Sequence, residues 1–293
     1  MLKKKVLTIL LILLFLLVVA VAVSAVHSRT WLIVREWTVS TPRISQEFTA
    51  VVIADLHGSS FGTQNEQLVE KIKEQQPDLI LIAGDMLNED AASDQEVCAL
   101  VRSLTGIAPV YYGYGNHEMG FMEAKKKRKH SFPKDLQEAG ATVLEKNYVD
   151  LTLGTDQVRI GGLYEYAFGH NGQDSAEAAP EEIKNFLQEF EDTDHFRIMI
   201  SHRPDSFIFG NASSYWKVDL VISGHDHGGQ VVLPLLGGVF GGDQGYFPAY
   251  VHGLYTKDNL QLFVTSGLGS QKEKIPRINN RPEIAVLHVT GEY

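Results

Sequence analysis

Five times along this chain a short apolar run, of the kind that fills a buried strand, ends abruptly in aspartate, asparagine or histidine. Ile53-Ala54 runs into Asp55-Leu56-His57, and Ile82-Ala83 into Gly84-Asp85. Tyr112-Gly113-Tyr114 runs into Gly115-Asn116-His117-Glu118, and Met199-Ile200 into Ser201-His202. Val221-Ile222 runs into Ser223-Gly224-His225-Asp226-His227-Gly228. In open α/β sheets, ligands gather outside the carboxyl ends of the strands. Residues far apart in sequence are therefore expected to converge on one sheet edge. The adjoining glycines permit the tight turns and close backbone approach such an edge needs.

The stretches between these blocks fit that arrangement. Leu68, Val69 and Ile72 share one helical face, and Val97, Leu100, Val101 and Leu104 recur at i, i+3, i+4, i+7. Ile183, Phe186, Leu187 and Phe190 repeat in the same way after Pro180, a good first-turn residue. A shorter helix is expected at Lys134–Ala139. Further strand-like runs are Val143–Leu144, Val149–Leu153, Val158–Gly162, Gln230–Leu233, Leu262–Thr265 and Ile284–Val289. Strands alternating with helices predict a layered α/β or mixed α+β domain with helices on the sheet faces. Gly237–Gly245 reads as a long loop, and Lys125–His130 as a solvated basic run.

The N-terminus obeys different physics. Lys3, Lys4 and Lys5 precede Val6–Val26, an uncharged run of 21 residues. At about 1.5 Å per residue, such a helix spans the roughly 30 Å hydrocarbon core of a bilayer. The run exceeds the roughly 7–15 apolar residues of a signal peptide. A cleaved leader ending at Val23-Ser24-Ala25 is the alternative to an uncleaved anchor. Three lysines before the run, against Arg29 and Arg35 after it, favour a cytoplasmic N-terminus and a folded body on the extracytoplasmic side. Trp31 and Trp37 suit either the headgroup belt or the start of the packed domain. The expected division is an anchor over 1–26, a juxtamembrane linker over 27–47 and a folded domain over 48–293.

Charge and cysteine usage then narrow the chemistry. Setting aside the three N-terminal lysines, the body carries 23 basic and 36 acidic residues, a net −13. Nucleic-acid affinity rests largely on Lys and Arg neutralising phosphates, so a nucleic-acid partner is disfavoured. A single cysteine, Cys98, excludes an intramolecular disulfide framework and a cysteine-based zinc site. Imidazole with carboxylate suits divalent manganese, iron or zinc better than a magnesium or calcium cage. A metal pair in such a site would attract phosphate to an otherwise acidic protein. It would also generate hydroxide near neutral pH, and a nearby histidine could protonate the leaving oxygen.

Taken together and in order, the five blocks resemble the calcineurin-like metallophosphoesterases, over residues 48 to 290. The resemblance implies a four-layer α/β fold, two packed mixed β-sheets flanked by helices. It implies one metal held by Asp55, His57, Asp85 and His227, and a second held by Asp85, Asn116, His202 and His225, with Asp85 bridging. It gives His117 the role of contacting phosphate and assisting the leaving group. The stretches Gly228-Gly229-Gln230, Gln244-Gly245-Tyr246, Gly253-Leu254-Tyr255 and Gly267-Leu268-Gly269 are similar to the membrane-anchored bacterial branch of that family. That branch implies phosphoester or pyrophosphate hydrolysis by a two-metal-activated hydroxide, with lipid or nucleotide-sugar intermediates as substrates.

Other residues are weighed individually. Glu118 is expected either to orient its neighbours or to be an ordinary surface residue. Asp226 is expected to point away from the metals, and His252 to be a packed loop residue. Arg203 and Arg277 are candidate phosphate clamps by charge. Cys98 is read off the apolar face of its helix as a free thiol. The competing functions are a catalytically inactive metal-binding scaffold at the membrane and a nuclease of the same fold.

Overall fold

The computed structural model describes residues 2–125, 131–164, 175–269 and 276–292. Helix α1 (Leu2–Thr30) is followed at once by strand β1 (Ile33–Thr41) and then β2 (Phe48–Ile53). Next come α2 (Glu66–Glu74), β3 (Leu79–Ala83), α3 (Gln95–Thr105), β4 (Val110–Gly113), α4 (Asn116–Lys125), α5 (Phe132–Glu138) and β5 (Thr142–Leu144). The second half runs β6 (Asn147–Leu153), β7 (Asp156–Gly162), α6 (Glu181–Glu191), β8 (Phe196–Ile200), α7 (Asp205–Ile208), α8 (Ala212–Tyr215) and β9 (Leu220–Ser223). Four two-residue strands follow: β10 (Val232–Leu233), β11 (Gly237–Gly238), β12 (Phe240–Gly241) and β13 (Gly245–Tyr246). The chain closes with β14 (Gly253–Lys257), β15 (Leu260–Val264) and β16 (Glu283–Gly291).

Two mixed six-stranded sheets result, in the orders β1-β16-β2-β3-β4-β5 and β14-β15-β9-β8-β7-β6. Alternate residues of a strand face opposite ways, and β2 shows the consequence. Phe48, Ala50 and Val52 pack into the core between the sheets, with Leu79, Leu81, Ile198, Ile222 and Phe263. Val51 and Ile53 face outward into a second core under α2, α3 and α5. A third core joins the other sheet to α6, α7 and α8. The architecture is therefore helix, sheet, sheet, helix, as the family resemblance implies.

Three expectations change, and one open alternative is decided. The 27–47 stretch is not a linker: α1 runs on to Thr30, and β1 pairs in parallel along β16, from Ile33 opposite Glu283 to Thr41 opposite Gly291. Its mixed pattern of charged and apolar residues belongs to an edge strand with a half-covered face. Gly237–Gly245 is not a plain loop, because it contributes β11, β12 and the start of β13 to two minimal antiparallel pairs, β10–β11 and β12–β13. Cys98 is on the buried face of α3, and burial pushes its thiol up to about 12, which leaves it unreactive. Trp37 packs edge-on to Phe263 and His252, whereas Trp31 stays exposed at the end of α1. The basic run from 126 to 130 lies outside the described residues.

Candidate metal centre

All five polar blocks leave strands of the two sheets at one edge. β2, β3 and β4 deliver Asp55, His57, Asp85 and Asn116, and β8 and β9 deliver His202, His225 and His227. The turns are tight. Asp55, His57, Asp85, His225 and His227 all have φ between 46° and 71°, a region non-glycine residues rarely occupy. Such strain persists where the surroundings over-determine it, and it collects at functional sites. Gly115 crosses directly beside Asp85, where any Cβ would collide with the carboxylate.

The side chains converge into three overlapping groups able to hold a metal ion: Asp55, His57 and His227; His57, Asp85 and His117; and Asp85, His202 and His225. His202 Nε2 lies 3.2 Å from Asp85 Oδ2 and 3.9 Å from Asp55 Oδ1. His57 Nε2 is 3.7 Å from Asp85 Oδ2, and His227 Nε2 is 4.0 Å from Asp55 Oδ1. Three buried atoms aimed into this cluster, His57 Nε2, His202 Nε2 and Asn116 Oδ1, make no hydrogen bond. Leaving a buried polar group unsatisfied costs about 1–3 kcal/mol, so three together call for a missing partner. A divalent cation fits, since every one of these atoms presents a lone pair.

Hydrogen bonds on the far side of each ring set its tautomer. His202 Nδ1 donates to the Ala83 carbonyl at 2.6 Å, and His227 Nδ1 to the Gly269 carbonyl at 3.1 Å. His57 Nδ1 donates to Asn88 Oδ1 at 3.1 Å, while Asn88 Nδ2 returns a bond to the His57 carbonyl. All three rings therefore keep the Nε2 lone pair for a metal. His225 uses the opposite nitrogen: its Nε2 donates to Asp243 Oδ2 at 2.7 Å, which frees Nδ1. His117 differs from all of them. Its Nδ1 accepts the Glu89 backbone N–H at 3.1 Å, so the neutral ring carries its proton on Nε2. That nitrogen is 4.0 Å from Asp85 Oδ2 and offers a donor, not a lone pair.

The electrostatics match a site built for cations. Burial holds the His57 and His225 imidazoles down at about 4, and holds His227 well below its ordinary range. Burial also raises the Asp55 carboxyl to about 7. Burial acts to raise Asp85 as well, but His202, His57 and His117 together pull it far below the carboxylate range. Burial acts to lower His202 too, but the Asp85 and Asp55 carboxylates raise it to about 10, so a cation at its Nε2 would take the place of a proton. His57, His225 and His227 are kept neutral, as a metal requires of its ligands.

The family model for calcineurin-like phosphoesterase matches residues 48–229 of the sequence. This chain belongs to that family. The phosphoesterase is 29% identical over 246 residues to the uncharacterised metallophosphoesterase YkuE of Bacillus subtilis, covering 82% of this chain and 78% of the relative. It is 28% identical over 245 residues to phosphodiesterase YaeI of Escherichia coli, covering 83% and 82%. A solved dimetal phosphatase from Danio rerio is 13% identical, with a TM-score of 0.48 over 83% of this chain and 93% of that one. Family membership makes the phosphoesterase a phosphoric ester hydrolase that works with divalent metal.

Several residues turn out differently from their charge alone. The Arg277 guanidinium is buried and donates to the carbonyls of Asn280 and Gly269 and to Asn280 Oδ1, so it ties loop backbone together and is no phosphate clamp. Arg203 lines the cleft instead, with Nη1 3.2 Å from Asp243 Oδ2. His252 bonds Arg35 and Glu283, away from the metal ligands. Asp226 is buried and accepts from Gln244 Nε2, as a structural residue would. The cleft itself encloses about 470 Å³ and is lined by Asp85, Asn116, His117, Arg203, His225 and Asp243, among others. A larger cavity of about 1050 Å³ sits at the amino ends of β8 and β9, where Asp219 is already paired with Arg197 and Arg43.

Two further residues support the site, and of these only Asp243 had no sequence signature, since the orienting reading of Glu118 holds and the surface reading does not. Asp243, in the glycine-rich segment, holds His225. Glu118 is wholly buried and accepts from the backbone N–H groups of Asp85, Met86 and Gly115 and from the Tyr112 hydroxyl, at 2.7–2.8 Å. It locks the Asp85 turn to the start of α4. Glu118→Ala strands four buried donors at about 1–3 kcal/mol each. The expected loss is at least about 4 kcal/mol of unfolding free energy, read by denaturant titration of the full chain in detergent; a loss under about 1 kcal/mol would refute the clamp.

Proposed function

We propose that the chain is a membrane-anchored, two-metal phosphoesterase, cleaving a phosphoester or pyrophosphate bond of a lipid-linked or nucleotide-sugar substrate. The observation that carries the reading is the contrast in tautomers. Four histidines turn lone pairs toward two buried aspartates, and one histidine beside them turns an N–H. One ion would be held by Asp55, His57, Asp85 and His227, and the other by Asp85, Asn116, His202 and His225. When bound, two such ions supply Lewis acidity and bring the pKa of water toward neutrality.

The protein's own groups do the rest. Asp85 lies between both ligand sets and fixes their spacing. Gly115, too small to block the Asp85 carboxylate, lets Asn116 reach the same edge. Asp243 orients His225 through Nε2–H, and Arg203, at the cleft wall, brings positive charge to the phosphoryl oxygens. His117 donates Nε2–H toward the phosphoryl or leaving oxygen, stabilising charge as it builds there. The uncharged Val6–Val26 run of α1 supports retention at the membrane, and the lysines before that run support a cytoplasmic N-terminus.

Purified full-length chain in detergent is expected to bind two manganese ions and to hydrolyse an aryl phosphodiester. Binding of two ions with no turnover of aryl mono- or diesters under manganese, iron, zinc or cobalt would sink the catalytic reading and leave a metal-binding scaffold. Salt-sensitive digestion of DNA at physiological ionic strength would favour the nuclease reading.

A further inference from the structure

Outside α1, seven large apolar side chains are prominently exposed among the described residues. Five of them, Leu233, Leu235, Leu236, Tyr246 and Phe247, fall in one stretch of fifteen residues. A sixth, Trp31, closes α1, and only Tyr215 lies elsewhere. Scattered exposed leucines need no explanation, but this concentration does. Leu235 and Leu236 sit at the tip of the β10–β11 pair, with Leu235 fully exposed. Phe247 N donates to the Val239 carbonyl, and Tyr246 packs edge-on against Phe240, so both aromatics belong to the same small structure. From Val231 to Val251 the one charged residue is Asp243, which is turned inward to His225 and Arg203.

The position of this structure singles out what it meets. Asn279 N donates to Ser24 Oγ of α1 at 2.7 Å, and Asn280 N to Ser28 Oγ at 3.1 Å. Asn279 Nδ2 donates to the Val232 carbonyl at 3.1 Å, and Val232 N to the Ile278 carbonyl at 3.0 Å. One segment therefore joins the emerging end of the apolar helix to β10. The tip follows three residues after Val232, so it belongs to the structure that this segment ties to α1.

We propose that the Val232–Phe247 segment is a second membrane contact, whose leucines and aromatics enter the interfacial layer of the bilayer beside α1. The inference rests on the anchor reading of α1. Uncharged leucine with tyrosine and phenylalanine suits the boundary between headgroups and acyl chains. The same segment supplies Phe240, Gly242 and Asp243 to the cleft wall, so the contact sets the mouth of the site at headgroup level. It also fixes the orientation of a body that a single helix would leave free to swivel.

The test uses the full chain in nanodiscs of phosphatidylethanolamine and phosphatidylglycerol. Nitroxide labels are placed at Leu235→Cys, at Phe247→Cys and, for reference, at Tyr215→Cys, each with Cys98→Ala. Collision rates with oxygen, which concentrates in lipid, and with a water-soluble nickel chelate report depth. The expected result is a several-fold higher oxygen-to-nickel ratio at 235 and 247 than at 215, consistent with burial by about 5–10 Å. Equal ratios at the three sites would overturn the proposal. So would shielding of 235 and 247 from both reagents, which marks a protein partner or a second copy. Intact mass tests the anchor separately. If the chain lacks its first residues, the anchor reading fails, and the contact then stands or falls on whether labelled 235 in that shortened chain shows the same ratio on vesicles of the same lipids.

Discussion

Asp85→Asn is expected to abolish stoichiometric binding of both metals, not just one. Asp85 Oδ2 stands 3.2 Å from His202 Nε2 and 3.7 Å from His57 Nε2, so it faces nitrogens assigned to both ions. Asparagine is neutral, and its amide nitrogen has no lone pair for a metal. Its Oδ1 can still accept the His117 backbone N–H that Asp85 receives at 2.8 Å, so the fold survives the change. Turnover should fall by at least the roughly 10²–10³ that follows loss of one electrostatic stabiliser. His227→Ala, by contrast, removes a group assigned to one ion and should leave the other bound. Metal analysis of the two purified variants decides the matter. Two tightly held ions in Asp85→Asn, with most activity intact, would show that the carboxylate does not bridge.

His117→Ala should keep its metals and lose rate. The ring nitrogen nearest the cluster bears a proton, fixed there by the Glu89 N–H on the other side, so removing it removes a donor and no ligand. A fall of roughly 10²–10⁴ is the usual worth of assistance by such a group. The loss should depend on the leaving group: small for a nitrophenyl ester, whose phenolate needs little help, and largest for an alkyl ester. His117→Gln restores an N–H donor and should recover part of the alkyl-ester rate. Equal slowing on both esters, or loss of a metal ion, would refute the donor role.

The family's five blocks were legible because their chemistry is local: an apolar β-branched run followed by Asp, Asn or His can be read residue by residue. Helices α2, α3 and α6 were legible through their apolar spacing. β1 was not, because Arg35, Glu36 and Thr38 interrupt its apolar positions, and its partner β16 lies 250 residues away. α4 escaped notice because it begins at Asn116, inside a motif read for its chemistry alone. The supports of the site were illegible for a different reason. Asn88, Asp243 and the Ala83 and Gly269 carbonyls act through ring orientation, which no pattern of residue types encodes. Glu118 could be suspected from its place beside His117, but its four-donor role depends on burial.

The pairing of β1 with β16 carries a consequence for how the molecule comes into being. β16 lies between β1 and β2, which are consecutive in the chain yet do not touch in the sheet. While the polypeptide is growing, that sheet has an open slot at the place its final strand will occupy, with unpaired backbone on both sides. Contacts spanning so much chain form late, because loop closure comes before any gain from pairing. The body therefore cannot lock shut around a nascent chain before β16 has been made and slides between β1 and β2.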